Sequence, residues 1–330
     1  MTPPSRVVAT GLAVGLIVGT GVIAGLAQPP ASSPWEPSRT PWDDPDLQGT
    51  WTNVTATPLE RPRALGDTAV LTEAQRVEQF QEFTRQTTTD TVPQAGSPGS
   101  HNEYWRERGT LLHRTSLLVD PINGRLPPLT SGGERAAAAQ ADAWSLADGP
   151  ESRDLFERCI TRGLPGTMMG NFYNHNYQIL QTPDHVVILA EMIHDARIVP
   201  LDGRPHADRR IGQWLGDSRG RWEEDTLVVE TTNLRAVDQT TISRGLGVIT
   251  LGTSGAARVI ERFLRTSADT IDYRVTVHDP DIYTAPWTAA VPMTTREGTL
   301  FEYACHEGNY GLTGILAGRR TEEIAASRER

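Results

Sequence analysis

The sequence predicts a mainly β fold, an antiparallel meander closing into a barrel or a strongly curved sheet, with a small helical N-terminal cap. Three observations carry this reading. From about residue 172 onward, alternating apolar runs are separated by short turn sequences. No long helical pattern intervenes between them, which selects hairpins over βαβ crossovers. Both clear helix signals precede that region. So long a run of hairpins must stack or close, because open strand edges template aggregation.

The elements follow in order. Arg6 precedes Val7–Ala27, a run of 21 residues without a charge, and Gly25-Leu26-Ala27 has small residues where a signal peptidase needs them. Residues 1–27 therefore read as a signal peptide, cleaved after Ala27, or as a membrane anchor that stays in place and gives membrane association through residues 7–27. Either way the remaining chain is exported, to the periplasm or beyond. Residues 28–46, with Pro34-Trp35 and Pro41-Trp42, read as an extended Pro/Trp-rich arm. Residues 47–165 hold a first strand and the helical cap region. There Thr72 and Gln75 form a capping box, followed by Ala74, Val77, Phe80 and Phe83 on one face. Thr87 to Gly99 is a polar loop, Ser116 to Val119 a short strand, and Asp120-Pro121-Ile122-Asn123-Gly124 a turn. Ser131 and Glu134 make a second capping box before a helix running to Trp144.

Residues 166–330 form the antiparallel β domain. Tyr177 to Gln181 and His185 to Pro200 read as a long hairpin about Thr182-Pro183-Asp184. Trp222-Glu223 and Thr226 to Thr232 form a second, about Glu224-Asp225. Arg258 to Arg265 and Thr270 to His278 form a third, about Ser267-Ala268-Asp269. Leu300 to His306 adds one more strand before a short helix or tail.

Composition narrows the function. The 330 residues carry 31 basic and 41 acidic side chains, a net charge of −10. Cleavage after Ala27 removes Arg6 and no acid, giving 30 − 41 = −11. The acidic balance argues against a nucleic-acid partner. Every basic residue is an arginine. A lysine Schiff base and a P-loop lysine are thereby excluded. An oxidising compartment allows Cys159 and Cys305 to pair, closing a loop that contributes about 5 kcal/mol in the chain-entropy model; two buried thiols are the other reading. Neither cysteine sits in a nucleophile motif.

Gly49-Thr50-Trp51 resembles the Gly-x-Trp opening of lipocalin-like barrels, in which the tryptophan opens the first strand and plugs one end; Thr270-Ile271-Asp272-Tyr273 approximates a second signature with an inserted residue. That resemblance implies a ligand-binding barrel. Glu191-Met-Ile-His194-Asp195-Ala-Arg197 and Gly220-Arg-Trp222-Glu-Glu-Asp225-Thr-Leu-Val-Val-Glu230 are similar to a family of exported bacterial proteins of unassigned activity. This second resemblance implies export.

The candidate chemistry lies in His185–Val199. Read as one strand, it puts Glu191, Asp195 and Arg197 on one face and His194 on the other. Glu191 and Asp195 are then about 13 Å apart, too far for a dyad, whereas Asp195 and Arg197 suit a same-face ion pair. With a three-residue loop, His175 faces Glu191, an acid/base couple at the mouth of a cavity. A two- or four-residue loop moves Glu191 opposite Asn176. Tyr173, Tyr177, Trp214 and Tyr273 are candidate ligand contacts. His175, His185, His194 and His206 lie 10, 9 and 12 residues apart, without the tight pairs of zinc sites, so no metal is expected. No Gly-x-Ser-x-Gly elbow occurs, and Gly245-Leu-Gly247 is too short for a dinucleotide loop.

The resulting expectation is an exported barrel enclosing a mostly apolar small molecule. Glu191, His175, His194, Asp195 and Arg197 would perform cofactor-free acid–base chemistry of isomerase, hydratase, cyclase or lyase type on it. Arg197 would hold an oxyanion or a carboxylate. The alternatives are a non-catalytic ligand-binding barrel and an envelope-associated module acting through its arm.

Overall fold

The computed structural model describes residues 35–88, 103–146, 148–170, 173–235, 241–244, 247–250 and 253–328. Residues 1–27, read from the sequence as a signal peptide or membrane anchor, lie outside the described residues, as do the start of the arm, most of the Thr87–Gly99 loop and Gly245-Leu246. In chain order the elements are β1 (Gly49–Thr52), α1 (Glu73–Thr87), β2 (Leu118–Asp120) and α2 (Ser131–Leu146). Then come β3 (Asn176–Gln181), β4 (His185–Ala190), β5 (Ala196–Pro200), β6 (Asp217–Glu223) and β7 (Thr226–Thr232). A separate two-stranded sheet, β8 (Thr241–Arg244) and β9 (Gly247–Thr250), is followed by β10 (Arg258–Ser267), β11 (Thr270–His278), β12 (Trp287–Ala290), β13 (Met293–Thr295) and α3 (Tyr310–Arg328).

The main sheet is antiparallel and nearly closed into a barrel, in the order β5-β4-β3-β1-β13-β11-β10-β7-β6. Both β12 and β13 lie along β11, and β12 passes on to β2 where β13 passes on to β1. The expected hairpins β6–β7 and β10–β11 form, the first about Glu224-Asp225. Alternation fills the interior: Val259, Phe263, Ile271, Tyr273, Val275 and Val277 are all buried, with Trp51, Tyr177 and Trp287 among the largest enclosed side chains. Burying each large apolar side chain contributes about 1.5–3 kcal/mol. Trp51, in β1, donates from Nε1 to Leu47 O (2.9 Å), and the Arg265 guanidinium lies 5.4 Å from its ring centre. The described part of the arm is fastened to strand ends, Arg39 Nη2 donating to Asp225 Oδ1 (2.8 Å) and Arg265 Nη1 to Asp46 O (2.7 Å).

The Thr72–Gln75 capping box is present on α1. Only the later part of the expected face packs: Phe80 and Phe83 lie against Ala56, Leu71 and Leu111, while Val77 is exposed. A three-residue spacing falls behind the helical turn by about 60° per step, so Ala74 and Val77 rotate away. At α2 the cap lies one residue earlier than expected, at Thr130, whose hydroxyl accepts from Gly133 N (3.0 Å). Two strand expectations are corrected. Residues 300–306 form no strand; their backbone is irregular, and Phe301 is 70% exposed. His185–Pro200 is two strands, β4 and β5, folded back on each other through Met192–His194. Cys159 and Cys305 are bonded, with Cα atoms 5.7 Å apart.

Candidate functional site

Each of the eight steps from β5 round to β6 is antiparallel, so the two end strands run parallel and meet without a backbone ladder among the described residues. At one end of this seam Gly220 permits close approach. A Cβ there would lie 2.6 Å from Leu201 Cδ2 and 2.9 Å from Val199 Cγ1. At the other end is a cleft of about 510 Å³ whose lining includes Asp195, Arg197, Gln213, Trp214, Ser218 and Arg235. The Arg235 guanidinium lies over the Trp214 indole, 4.4 Å from its centre.

Register explains the inner wall. Arg197 pairs with Ile188 across β4–β5, and both are buried. Glu261 faces inward between Val259 and Phe263 and is 0% exposed. Arg197 donates from Nη1 to Glu261 Oε1 (2.9 Å) and from Nη2 to Oε2, while Tyr273 Oη donates to Oε1 (2.9 Å). Burial works against the Arg197 charge, but Glu261 outweighs it and holds the guanidinium protonated. Burial, then the neighbouring Glu261 charge, pushes the Tyr273 phenol well above its usual range. Arg197 Nε, 4% exposed as a residue, has no acceptor.

Two carboxylates on opposite walls differ in character. Asp195 is half-buried and accepts from Thr161 Oγ1 (2.8 Å); burial moves its carboxyl upward. Asp217 is buried too, but Ala207 N (2.9 Å), His206 Nδ1 (2.9 Å) and Arg219 Nη1 (2.7 Å) surround it and bring its carboxyl down despite that burial. The wall therefore has one fixed anion and one group disposed to take a proton.

Asp195, Arg197 and Trp214 thus meet at one cleft, as candidate site residues. Asp195 and Arg197 do not pair with each other; Arg197 turns inward to Glu261, and Asp195 to Thr161. Glu191 and His175 are separated by register. Thr182 N bonds His185 O (2.9 Å), so the loop is Pro183-Asp184, Tyr177 pairs with Ala190, and Glu191 N bonds Asn176 O (2.9 Å). His175 is buried with Nε2 3.0 Å from Arg162 Nη1 and Nδ1 3.4 Å from Tyr177 Oη. Burial and then Arg162 hold its imidazole well below the usual range, hence neutral. Glu191 accepts from the side chains of Asn174 and Asn176. His194 is exposed on the turn before β5. Tyr177 and Tyr273 fill the interior, and Tyr173 is half-buried with its ring edge-on to Tyr303.

Sequence reasoning missed Glu261, Thr161 and Arg235. Glu261 had a signal, a lone acid between inward-facing Val259 and Phe263; the others come from loops or strand ends that pattern does not orient. Among the described residues, no three His, Cys, Asp or Glu side chains converge as metal ligands, and no helix is long and apolar enough to cross a membrane. No family model matches the chain, and no curated protein or solved structure does.

Proposed function

We propose that the chain is an exported small-molecule-binding barrel whose site is the open end of the β5–β6 seam. The observation that carries this is the cleft itself, lined by Asp195, Gln213 and Ser218, with the Trp214–Arg235 stack at its side. Such a lining suits a small planar molecule with a carbonyl or carboxylate, stacked on Trp214 and held by Arg235. It is more polar than the apolar ligand expected from the sequence. The Cys159–Cys305 bond supports an oxidising, extracytoplasmic compartment.

A second reading, proton-transfer chemistry of isomerase or lyase type, is favoured by Asp195. A half-buried carboxyl moved upward by burial, in a cleft, is placed to give and take a proton. Asp195→Asn separates the readings, because it removes turnover from an enzyme and leaves a binder its ligand.

The test is mass spectrometry of protein from an exporting host, native and then denatured, alongside Trp214→Ala. A molecule released from the parent and absent from the variant supports the seam site. A ligand retained equally by Trp214→Ala places binding elsewhere and overturns the proposal.

A further inference from the structure

Where the chain enters β3, two carboxylates from distant segments converge. Asn174 N donates to Glu107 Oε2 (3.0 Å), and Asn174 Nδ2 donates to Glu191 Oε1 (2.6 Å). Asn176 Nδ2 lies between the two acids, 3.2 Å from Glu191 Oε2 and 3.4 and 3.5 Å from Oε1 and Oε2 of Glu107. Glu191 is 3% exposed and Asn176 1%. Every donor that reaches the two carboxylates among the described residues is an amide N–H; no guanidinium or imidazole does. Anions held out of water without a counter-charge are costly, and two side by side more so.

A second observation concerns Asn176 alone. Its carboxamide points into the gap between the carboxylates, yet its Oδ1 is buried with no hydrogen-bond donor. A buried carbonyl oxygen has a partner in the great majority of native structures. Turning the carboxamide by 180° about its last torsion exchanges Nδ2 for Oδ1. An oxygen would then lie 3.2–3.5 Å from three carboxylate oxygens. Neighbouring oxygens around a calcium ion, bonded at 2.3–2.6 Å, are about 3–3.5 Å apart. Turned likewise, Asn174 adds a further oxygen.

We propose that Glu107, Glu191, Asn174 and Asn176 form a calcium-binding site at the entry to β3. The ligand set is all oxygen, with two carboxylates and two carboxamides, which suits a hard divalent cation and not zinc. The depth of Glu191 and Asn176 favours a bare ion over an organic cation, and the half-buried Glu107 and Asn174 supply the way in. Glu191 also leads directly into Met192–His194, where Ile193 (φ 61°) and His194 (φ 48°) are left-handed. Calcium there holds the start of the turn that delivers Asp195 to the cleft.

The experiment uses the full chain, stripped with a chelator and titrated with calcium chloride, then with magnesium chloride, by calorimetry and thermal unfolding. The expected result is one saturable calcium site that raises the melting temperature, weaker binding of magnesium, and a loss of calcium affinity of at least about tenfold in Glu107→Gln. Glu191→Gln is the second variant; should it fail to fold, Glu107→Gln decides alone, since that side chain is half-buried. No calcium heat from the folded, stripped protein, or calcium affinity unchanged in Glu107→Gln, overturns the site.

Discussion

Arg197 and Glu261 meet inside the barrel although their strands are not neighbours: β5 ends the sheet path, and β10 lies beyond β6 and β7 on the far side of the seam. Ser218 of β6 and Thr231 of β7, 2.8 Å apart through their hydroxyls, lie within 3.5 Å of Arg197 Nη2. A charged cross-tie therefore spans the gap that no backbone ladder closes.

Glu261→Leu strands a buried guanidinium and is expected to lower stability by about 3–5 kcal/mol. Pairing it with Arg197→Met removes both charges and recovers most of that loss, less about 1–3 kcal/mol for the orphaned Tyr273 hydroxyl. Urea unfolding of the two variants measures this. A double variant no more stable than the single one shows that the loss is not electrostatic.

His175 gives the acid limb of stability a definite sign. Its folded imidazole is held below the ordinary value of 6.5, by burial and then by Arg162, so the unfolded chain binds the proton more readily. Stability therefore falls as pH drops below 6.5, towards the depressed folded value. His175→Gln, which still offers Arg162 an acceptor, is expected to flatten the decline below that pH in a series of melting curves. An unchanged slope means that the buried ring protonates as freely as the unfolded one.

Gly220→Ala introduces a methyl into the closed end of the seam, against Leu201 and Val199. The expected cost is about 1–3 kcal/mol, the range for overpacking a core. Hydrogen exchange should also quicken along β5 and β6, where the strands are forced apart. Parent-like exchange and stability would mean that the seam already has room for the methyl.

Reducing the Cys159–Cys305 bond frees Cys305 in a segment that is also held by Asn309, whose Nδ2 donates to Glu157 O (2.7 Å). The helix α3 has no buried residue, and its Arg320 reaches Asp148 O (3.2 Å). The chain-entropy model allows a loss of up to about 5 kcal/mol. Trypsin is expected to cut at Arg319 and Arg320 soon after reduction, while β10 and β11 stay protected. Resistance at those arginines would show that the helix is docked by other contacts.

Strand pairs with strict alternation and polar turns were legible, as β10–β11 and β6–β7 show. The cavity-mouth couple was not, because it rested on loop length. Thr182 pairs with His185 and shortens the loop to two residues, which shifts Glu191 from His175 to Asn176. The break between β4 and β5 was hidden for a different reason. Its left-handed residues are Ile193 and His194, and a β-branched side chain is a rare occupant of that region. Residues 300–306 alternate like a strand, but their alternation meets no second strand and their tie is covalent, through Cys305. Asp195, Arg197 and Trp214 were identified singly; the odd number of strands that brings them together is a property of the whole path.

The missing ladder between β5 and β6 makes the wall a clasp and not a hoop. In a ring laddered all the way round, every change of girth must stretch or break a ladder somewhere. Here the girth can alter at one joint without the loss of a single interstrand backbone bond. The load then falls on the Arg197–Glu261 tie and on the Gly220 contact, and a guest that wedges between Asp195 and Ser218 works at the point where the barrel yields most cheaply.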